Sequence, residues 1–154
     1  MELGKNKIRQ YLICHENEYT EGIDTCLSPL PITPVLPIKG TENSVDAFAY
    51  EDWTGTIHKM PRVIKKSVEF EATCVGEDNL DKVNELIFDK IKTYGSDIFY
   101  LNFYFPSVGW YFSKVYLGNT REPVAEYIDM KDGSTTVTKM KMSFIEVDGI
   151  KLNL

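Results

Sequence analysis

The chain has 154 residues, of which 43% are hydrophobic and 26% are charged. This length favours one domain, residues 1–154, and the composition excludes an intrinsically disordered chain. The formal net charge of -6 argues against a nucleic-acid-binding protein that uses a basic face. Net charge alone does not exclude a local basic patch.

The cysteine count and the hydropathy pattern indicate the compartment. Cys14, Cys26 and Cys74 are odd in number, which is not typical of a disulfide framework, so we expect a reducing compartment. No apolar run reaches the ~18 to 20 residues of a membrane helix, and the first residues lack the apolar stretch of a signal peptide. These features predict a protein without membrane contact that stays in the cytoplasm or is released by lysis.

The N-terminal part, residues 1–60, is predicted to be irregular apart from a short strand over 8–14. Four of the seven prolines lie in it, at Pro29, Pro31, Pro34 and Pro37. Because proline removes a backbone donor, we expect residues 27–39 to form an extended arm and not a helix or central strand. The arm is apolar, so it needs a surface on its own subunit or on a neighbour. A turn or loop is expected over 39–44.

Residues 61–154 are predicted to form a β-sandwich core. Residues 68–74 alternate between apolar and polar side chains, which predicts a strand with one buried face. Residues 78–94 carry apolar side chains at spacings of three and four, which predicts one amphipathic helix. Asp78 is placed to cap this helix at its start, and Gly95 is placed to end it.

Two aromatic segments, 98–105 and 110–118, flank a turn and predict a β-hairpin. The first is apolar on both faces except at Asn102, which predicts that both faces are covered. Residues 136–149 alternate again and predict the last strand. We therefore predict a mainly β (α+β) fold, an antiparallel β-sandwich or partly closed barrel of five to eight strands with one packed helix. Edge strands would be exposed unless the protein assembles.

Residues with catalytic or metal-binding potential are few. His15 lies beside Cys14 with Cys26 eleven residues further on, a spacing that matches no compact zinc site, and we interpret His15 as a polar loop residue. Glu69 and Glu71 share one side of a strand at ~6 to 7 Å, so a hydrolase with paired carboxylates is an alternative. Acids that alternate along a strand are more often its solvent face. We predict no catalytic residue, no cofactor and no metal.

Aromatic side chains crowd the predicted hairpin over 98–118. They favour a core and a subunit contact, since aromatic residues dominate both. A base-stacking platform would normally come with a positive groove. Because Trp53 and Trp110 could also stack on sugar rings, a β-barrel module that binds a carbohydrate or an apolar ligand remains the alternative function.

Three segments carry a resemblance to a known family. They are "GTENSVDAFAYEDWTGTI" (40–57), "PRVIKKSVEFEATCVGEDNLDKVNELIFDKI" (61–91) and "FYLNFYFPSVGWYFSKVYLG" (99–118). Their order, a Gly-Thr-x-Asn-Ser loop, an acidic aromatic segment, a strand, a short helix and a hairpin, resembles the tail-tube fold of tailed bacteriophages, in particular distal tail and minor tail proteins. The resemblance spans 40–118, about half the chain.

The resemblance implies a structural virion protein of a phage tail and not an enzyme. It implies a homohexameric ring that continues the tail tube or joins it to the baseplate or tail tip, next to tube, hub and tape-measure proteins. DNA would pass through the lumen without specific binding, and assembly would take place in the host bacterial cytoplasm. The candidate inter-subunit contacts are Pro31, Pro34, Leu36, Trp53, Trp110 and Tyr111.

Overall fold

The computed structural model describes residues 8–20, 26–46, 49–59, 62–118, 122–129, 131 and 136–152. In these residues the strands are β1 (Leu12–His15), β2 (Ser28–Pro29), β3 (Thr33–Asp46), β4 (Ala49–Glu51), β5 (Ile57–Lys59), β6 (Arg62–Val75), β7 (Ile98–Phe105), β8 (Gly109–Leu117), β9 (Pro123–Ile128) and β10 (Thr136–Lys151). The helical segments are α1 (Glu77–Leu86) and α2 (Phe88–Tyr94).

Eight strands form one antiparallel sheet in the order β2-β1-β7-β8-β10-β6-β3. The eighth, β9, pairs with the first part of β10, opposite β6, and β8 takes over that side further along. β4 and β5 form a separate hairpin. The predicted fold class is confirmed: the fold is mainly antiparallel β with one bent helix, and the sheet does not close on itself.

The predicted hairpin is confirmed as β7 and β8, which pair from Ile98↔Tyr116 to Phe105↔Gly109. The prediction that both faces of β7 are covered holds only in part, because Tyr104 on the second face is 38% exposed. Phe99, Leu101 and Phe103 are fully buried on the core side. On the other side the Asn102 amide donates to the backbone carbonyls of residues 8 and 10, at 3.0 and 2.8 Å. The chain before β1 therefore covers the second face at Asn102.

The predicted helix is present but bent at Ile87, between α1 and α2. Gly95 ends it as predicted, with a left-handed φ of 71° and its N–H bonded to the Ile91 carbonyl at 2.8 Å. The prediction that Asp78 is the N-cap is wrong, because Gly76 precedes the first helical residue. The Gly76 N–H is bonded to the Thr136 carbonyl at 2.7 Å. Gly76 is thus the single residue between β6 and α1. Its φ of 89° lies in a region that glycine adopts readily.

The helix bridges two distant parts of the sheet. α1 contacts both β6 and β1, which three strands separate in the sheet order. The sheet must therefore curl around its core, where Val83 and Ile87 are completely buried. At another place β3 approaches the turn after β7, since a Cβ on Gly40 would lie 2.9 Å from the Phe105 ring. These contacts show that distant parts of the same sheet face each other, so that one curled sheet forms two layers.

The N-terminal part is more regular than its sequence predicts. The loop expected over 39–44 is wrong, because β3 runs on to Asp46 and pairs with β6. β3 is a terminal strand and needs a ladder on one side only, so its prolines are tolerated. The ladder is interrupted between Val35 and Lys39, on either side of Pro37. Pairing with the fourteen-residue β6 outweighs the local turn signals of this segment.

Replacing Ile87 by aspartate should unfold the protein. The side chain has 0% exposure, so a carboxylate would lose its hydration without a partner, at about 4 kcal/mol or more of unfolding free energy. Thermal unfolding followed by circular dichroism measures the loss. The matched control is Lys82→Asp, which places the same group at an exposed position of α1. An Ile87→Asp protein that melts with the control would show that this face is not packed.

Candidate assembly surfaces

The structure distributes the six predicted contact residues over five places. Pro34 and Trp110 line one shallow depression. Leu36 lines a groove beside β3 and is 79% exposed, and Trp53 stands at the tip of the β4–β5 hairpin with 96% exposure. Pro31 is partly buried, directly before β3. Tyr111 lies in the core and offers little surface to a neighbour.

The outer edge of β3 is the longest strand edge that the described residues leave unpaired. β6 occupies one side of β3, and no described strand occupies the other. Pro34 and Pro37 lack a backbone N–H, so the first part of β3 is a poor template for pairing. Residues 38–46 contain no proline. We call residues 38–46 the β3 edge, since open edges of this kind invite pairing with another chain.

A second edge lies on the opposite side of the β6–β10 pair. β9 pairs only with β10 among the described strands, and all six of its residues are exposed. Val124, Tyr127 and Ile128 are between 49% and 54% exposed. The sheet thus presents different strands, β3 and β9, at two of its borders.

The β4–β5 hairpin presents Trp53 on an ordered turn. The Asp52 carboxylate accepts hydrogen bonds from the Thr54 and Thr56 N–H groups at 2.9 and 3.0 Å. Gly55 has a left-handed φ of 85° and donates to the Asp52 carbonyl at 3.0 Å. Because the turn is fixed, an exposed tryptophan here loses little conformational freedom on binding. Tryptophan is also enriched among residues that dominate binding energies.

A groove of about 660 Å³ lies between β3 and β9, over β6 and β10. It contains Glu69 and Glu71, the pair that suggested a hydrolase. Lys141 bonds Glu69 at 2.8 Å, and this hydrogen bond and charge lower the pKa of the carboxyl. A catalytic acid needs a raised pKa. Glu69 is therefore engaged in a solvent-facing ion pair with Lys141, which does not favour the role of a catalytic acid.

His15 is a buried structural residue and not a loop residue as its sequence suggested. It ends β1 with 1% exposure. Its Nε2 lies 2.9 Å from the Ser96 carbonyl, and its Nδ1 accepts the Asn17 N–H at 3.1 Å. Both ring nitrogens are thus engaged, with the proton on Nε2. In the part of the chain that the structure describes, no group of three side chains could hold a metal ion.

The aromatic hairpin divides between core and surface. Phe99, Phe103, Phe105 and Phe112 are buried, which confirms the core part of the interpretation. Trp110 is partly exposed and lines a depression of about 380 Å³ with Tyr11 and Tyr104. Both tyrosine rings pack edge-on against the Trp110 indole, at centroid distances of 5.1 and 5.9 Å.

A buried acid, Glu146, was not predicted from the sequence. It has 0% exposure. Its Oε1 accepts the Lys66 N–H at 2.8 Å, and its Oε2 accepts the hydroxyls of Ser113 and Tyr111 at 2.6 and 3.3 Å. Burial and the neighbouring Glu146 raise the pKa of Tyr111. The alternation that turns Met140, Met142 and Phe144 inward also puts residue 146 on that face, so the pattern contained this signal.

Glu146 joins three strands where β10 changes its pairing. Glu146 lies in β10, β6 contributes one donor and β8 contributes two. The register of β10 with β8 shifts between Glu146 and Lys151. The Lys66 ammonium lies 5.1 Å from the Tyr111 ring centroid, close to the same site. We infer that Glu146 satisfies donors that the shift would otherwise leave buried without an acceptor.

Replacing Glu146 by alanine should reduce the unfolding free energy by about 3 kcal/mol, because the Lys66 N–H and the Tyr111 hydroxyl lose their acceptor and Ser113 keeps only the Ile150 carbonyl. Glu146→Gln keeps one acceptor oxygen for the Lys66 N–H and should cost about 1 kcal/mol. Urea denaturation measures both. Glu71→Ala on the exposed face of β6 is the matched control and should be neutral. Equal stability of Glu146→Ala and this control would contradict the role given to Glu146.

No helix within the described residues is long and apolar enough to cross a membrane.

Comparisons with known proteins give solved structures only. Neither a protein-family model nor a curated protein matches the sequence. The chain is similar to a chain in the tail of an empty gene transfer agent particle refined with helical C6 symmetry, with 12% identity, 97% of this chain and 98% of that chain covered, and a TM-score of 0.43. It is also similar to a chain in the virion of a native gene transfer agent particle, with 12% identity, coverage of 93% and 94%, and a TM-score of 0.41. We base no conclusion on similarity of this size.

Proposed function

We propose that the protein is a structural subunit of a phage-type tail and that its copies join into a ring through their sheet edges. The observation that carries this proposal is the β3 edge, residues 38–46, which no described strand covers. The fold class and the resemblance of residues 40–118 to the tail-tube fold support the same function. The proposal does not depend on the gene transfer agent chains, whose similarity to this chain is too weak.

A ring needs two different surfaces on each copy, because a head-to-tail contact joins unlike patches. The β3 edge and β9 lie on opposite sides of the β6–β10 pair. One copy can therefore offer β3 to one neighbour and β9 to the other. Pairing at these edges would extend the sheet from subunit to subunit and would remove the exposed edges. The resemblance implies six copies.

The proline-rich arm contributes little of its apolar surface to such a contact. Leu30 is buried, and Ile32 and Ile38 pack against the core of their own subunit. Leu36 points outward with 79% exposure. Of the six candidate contacts, Leu36 and Trp53 are therefore the two that we expect to become most buried in a neighbour. We do not expect Tyr111 to contact a neighbour, since its hydroxyl donates a hydrogen bond to Glu146 inside the core.

The charge of the chain suits a channel for DNA. A ring of subunits with a net charge of -6 each would present a negative or neutral lumen, which weakens contacts with phosphates and lets DNA pass. We propose that the ring continues the tail tube or joins it to the baseplate or tail tip, with tube, hub and tape-measure proteins as partners. Its place is then the virion tail, after assembly in the cytoplasm of a bacterial host.

One observation favours a second function. The depression at Trp110 combines aromatic side chains with Arg9, Gln10 and Thr33 at its rim. An aromatic surface next to polar groups is suited to a carbohydrate or another partly apolar ligand. Both tyrosines already contact the indole, so less of it is accessible to such a ligand. Binding of oligosaccharides that Trp110→Ala abolishes, in a protein that stays monomeric, would favour this alternative.

Leu36→Glu and Trp53→Ala should each shift the assembly toward monomers. Both residues are highly exposed in the single chain, so the variants should fold normally and lose affinity between copies by about tenfold or more. Mass photometry and light scattering measure the ring, alone and after co-expression with neighbouring tail proteins. Val108→Glu, on the exposed turn after β7, is the matched control. A wild-type protein that stays monomeric at high micromolar concentration, also with those partners, would refute the proposal.

Hydrogen exchange tests the β3 edge itself. In a single chain the amides of residues 38–46 that face away from β6 are open to solvent and should exchange fast. In the ring they should be protected by about tenfold or more, because a neighbouring strand accepts their hydrogen bonds. Residues 99–102 of β7, paired with β1 on one side and β8 on the other, are the internal control. If the amides of residues 38–46 exchange as fast in the ring as in the monomer, the interface does not include the β3 edge.

A further inference from the structure

Two cysteines meet in a small cavity beside the helix. Cys14 belongs to β1, and Cys26 lies two residues before β2. β1 and β2 pair antiparallel at Leu12↔Pro29 and Ile13↔Ser28. The chain that leads into β2 therefore passes the end of β1, and the two thiols line the same cavity of about 140 Å³.

The two thiols differ in their exposure. Cys14 is 4% exposed, and Cys26 is half-buried. Burial raises the pKa of the Cys14 thiol to about 12, and a side-chain hydrogen bond with Cys26 adds to that rise. The shared cavity and the pairing of β1 with β2 place the two thiols near each other. Both cysteines are reduced.

A shared metal is not the chemistry that this arrangement supports. His15 lines the same cavity but uses both ring nitrogens within the fold. Two thiolates without a third ligand do not complete a structural zinc site. Two adjacent thiols can, however, lose their hydrogens to an oxidant and become bonded to each other.

We propose that Cys14 and Cys26 form a disulfide when the folded protein enters an oxidising medium that contains a small-molecule disulfide such as oxidised glutathione. The more exposed Cys26, as thiolate, attacks one glutathione sulfur, and one glutathione thiolate leaves. Cys14 then gives up its proton to the leaving thiolate or to water. Its sulfur attacks that of Cys26, and the second glutathione leaves as a thiol. Two protein thiols are oxidised while one glutathione disulfide is reduced to two thiols.

The bond would fasten the short end of the sheet. β2 has two residues and pairs only with β1 among the described strands, so this end has the fewest hydrogen bonds to hold it. A disulfide between residues 14 and 26 would hold the chain before β2 next to β1. It would also restrict the unfolded chain, which raises stability in the entropic account. Disulfides of this kind persist in oxidising surroundings and not in the cytosol.

The test compares oxidation of the folded and unfolded protein. Wild type is equilibrated with reduced and oxidised glutathione, with and without guanidinium chloride, and the fraction of linked residues 14 and 26 is measured by peptide mass spectrometry. We expect the equilibrium constant for the bond to be larger in the folded protein by about tenfold or more. The oxidised protein should melt roughly 5 to 10 °C higher than the reduced one.

Two variants make the result specific. Cys74→Ser removes the third thiol, which is buried in β6, and should leave the formation of the bond and the rise in melting temperature unchanged. Cys26→Ser should abolish both. The proposal is overturned if the folded protein accumulates only single glutathione adducts on Cys26, or if the bond is no more favourable in the folded than in the unfolded chain. The latter result would mean that the native geometry strains it.

Discussion

The structure depends on one constraint: a single antiparallel sheet has to enclose a core without closing on itself. The sheet curls far enough for α1 to contact both β1 and β6, and the helix fills the gap between them. The apolar faces of strands and helix are then removed from water, which is the main stabilising contribution in a domain of this size. Because the curl stops before closure, β3 and β9 remain at the borders of the sheet. The exposed edges are thus a consequence of the same geometry that forms the core.

The core also has to accommodate the strand that changes partners. β10 pairs with β9 at its start and with β8 at its end, while β6 follows most of its other side. A strand that changes from one partner strand to another needs new hydrogen-bond partners for its backbone groups. Glu146 lies just beyond this change, where the pairing with β6 ends, and its carboxylate accepts hydrogen bonds from β6 and β8. A buried acid is costly unless its hydrogen bonds are complete, so it specifies this one arrangement more than it adds net stability.

Local periodicity was enough to predict the helices and strands whose conformation is determined by their own residues. The spacing of Val83 and Ile87 predicted the helix, and the aromatic runs on either side of a turn predicted β7 and β8. β3 was missed because its prolines and its Gly-Thr-Glu-Asn-Ser run signal a loop. Its conformation is decided by β6, whose paired residues lie 16 to 40 positions further along the chain. Tyr111 was predicted to be a subunit contact because the aromatic residues around it do not alternate with polar ones and so do not show which face is buried. Only its pairing with Phe103 and its hydrogen bond to Glu146 place it inside.

We propose assembly and oxidation at different ends of the sheet. At one end, the β3 edge has backbone groups for a neighbour, and no cysteine lies in β3. At the other end, β2 is too short to be an effective edge for pairing and is instead close to the two thiols. Four strands separate β1 from β3 along the sheet order. A covalent bond at the β1–β2 end therefore leaves the β3 edge untouched, so oxidation can stabilise the subunit without competing with assembly. Loss of either property would leave the physical basis of the other intact.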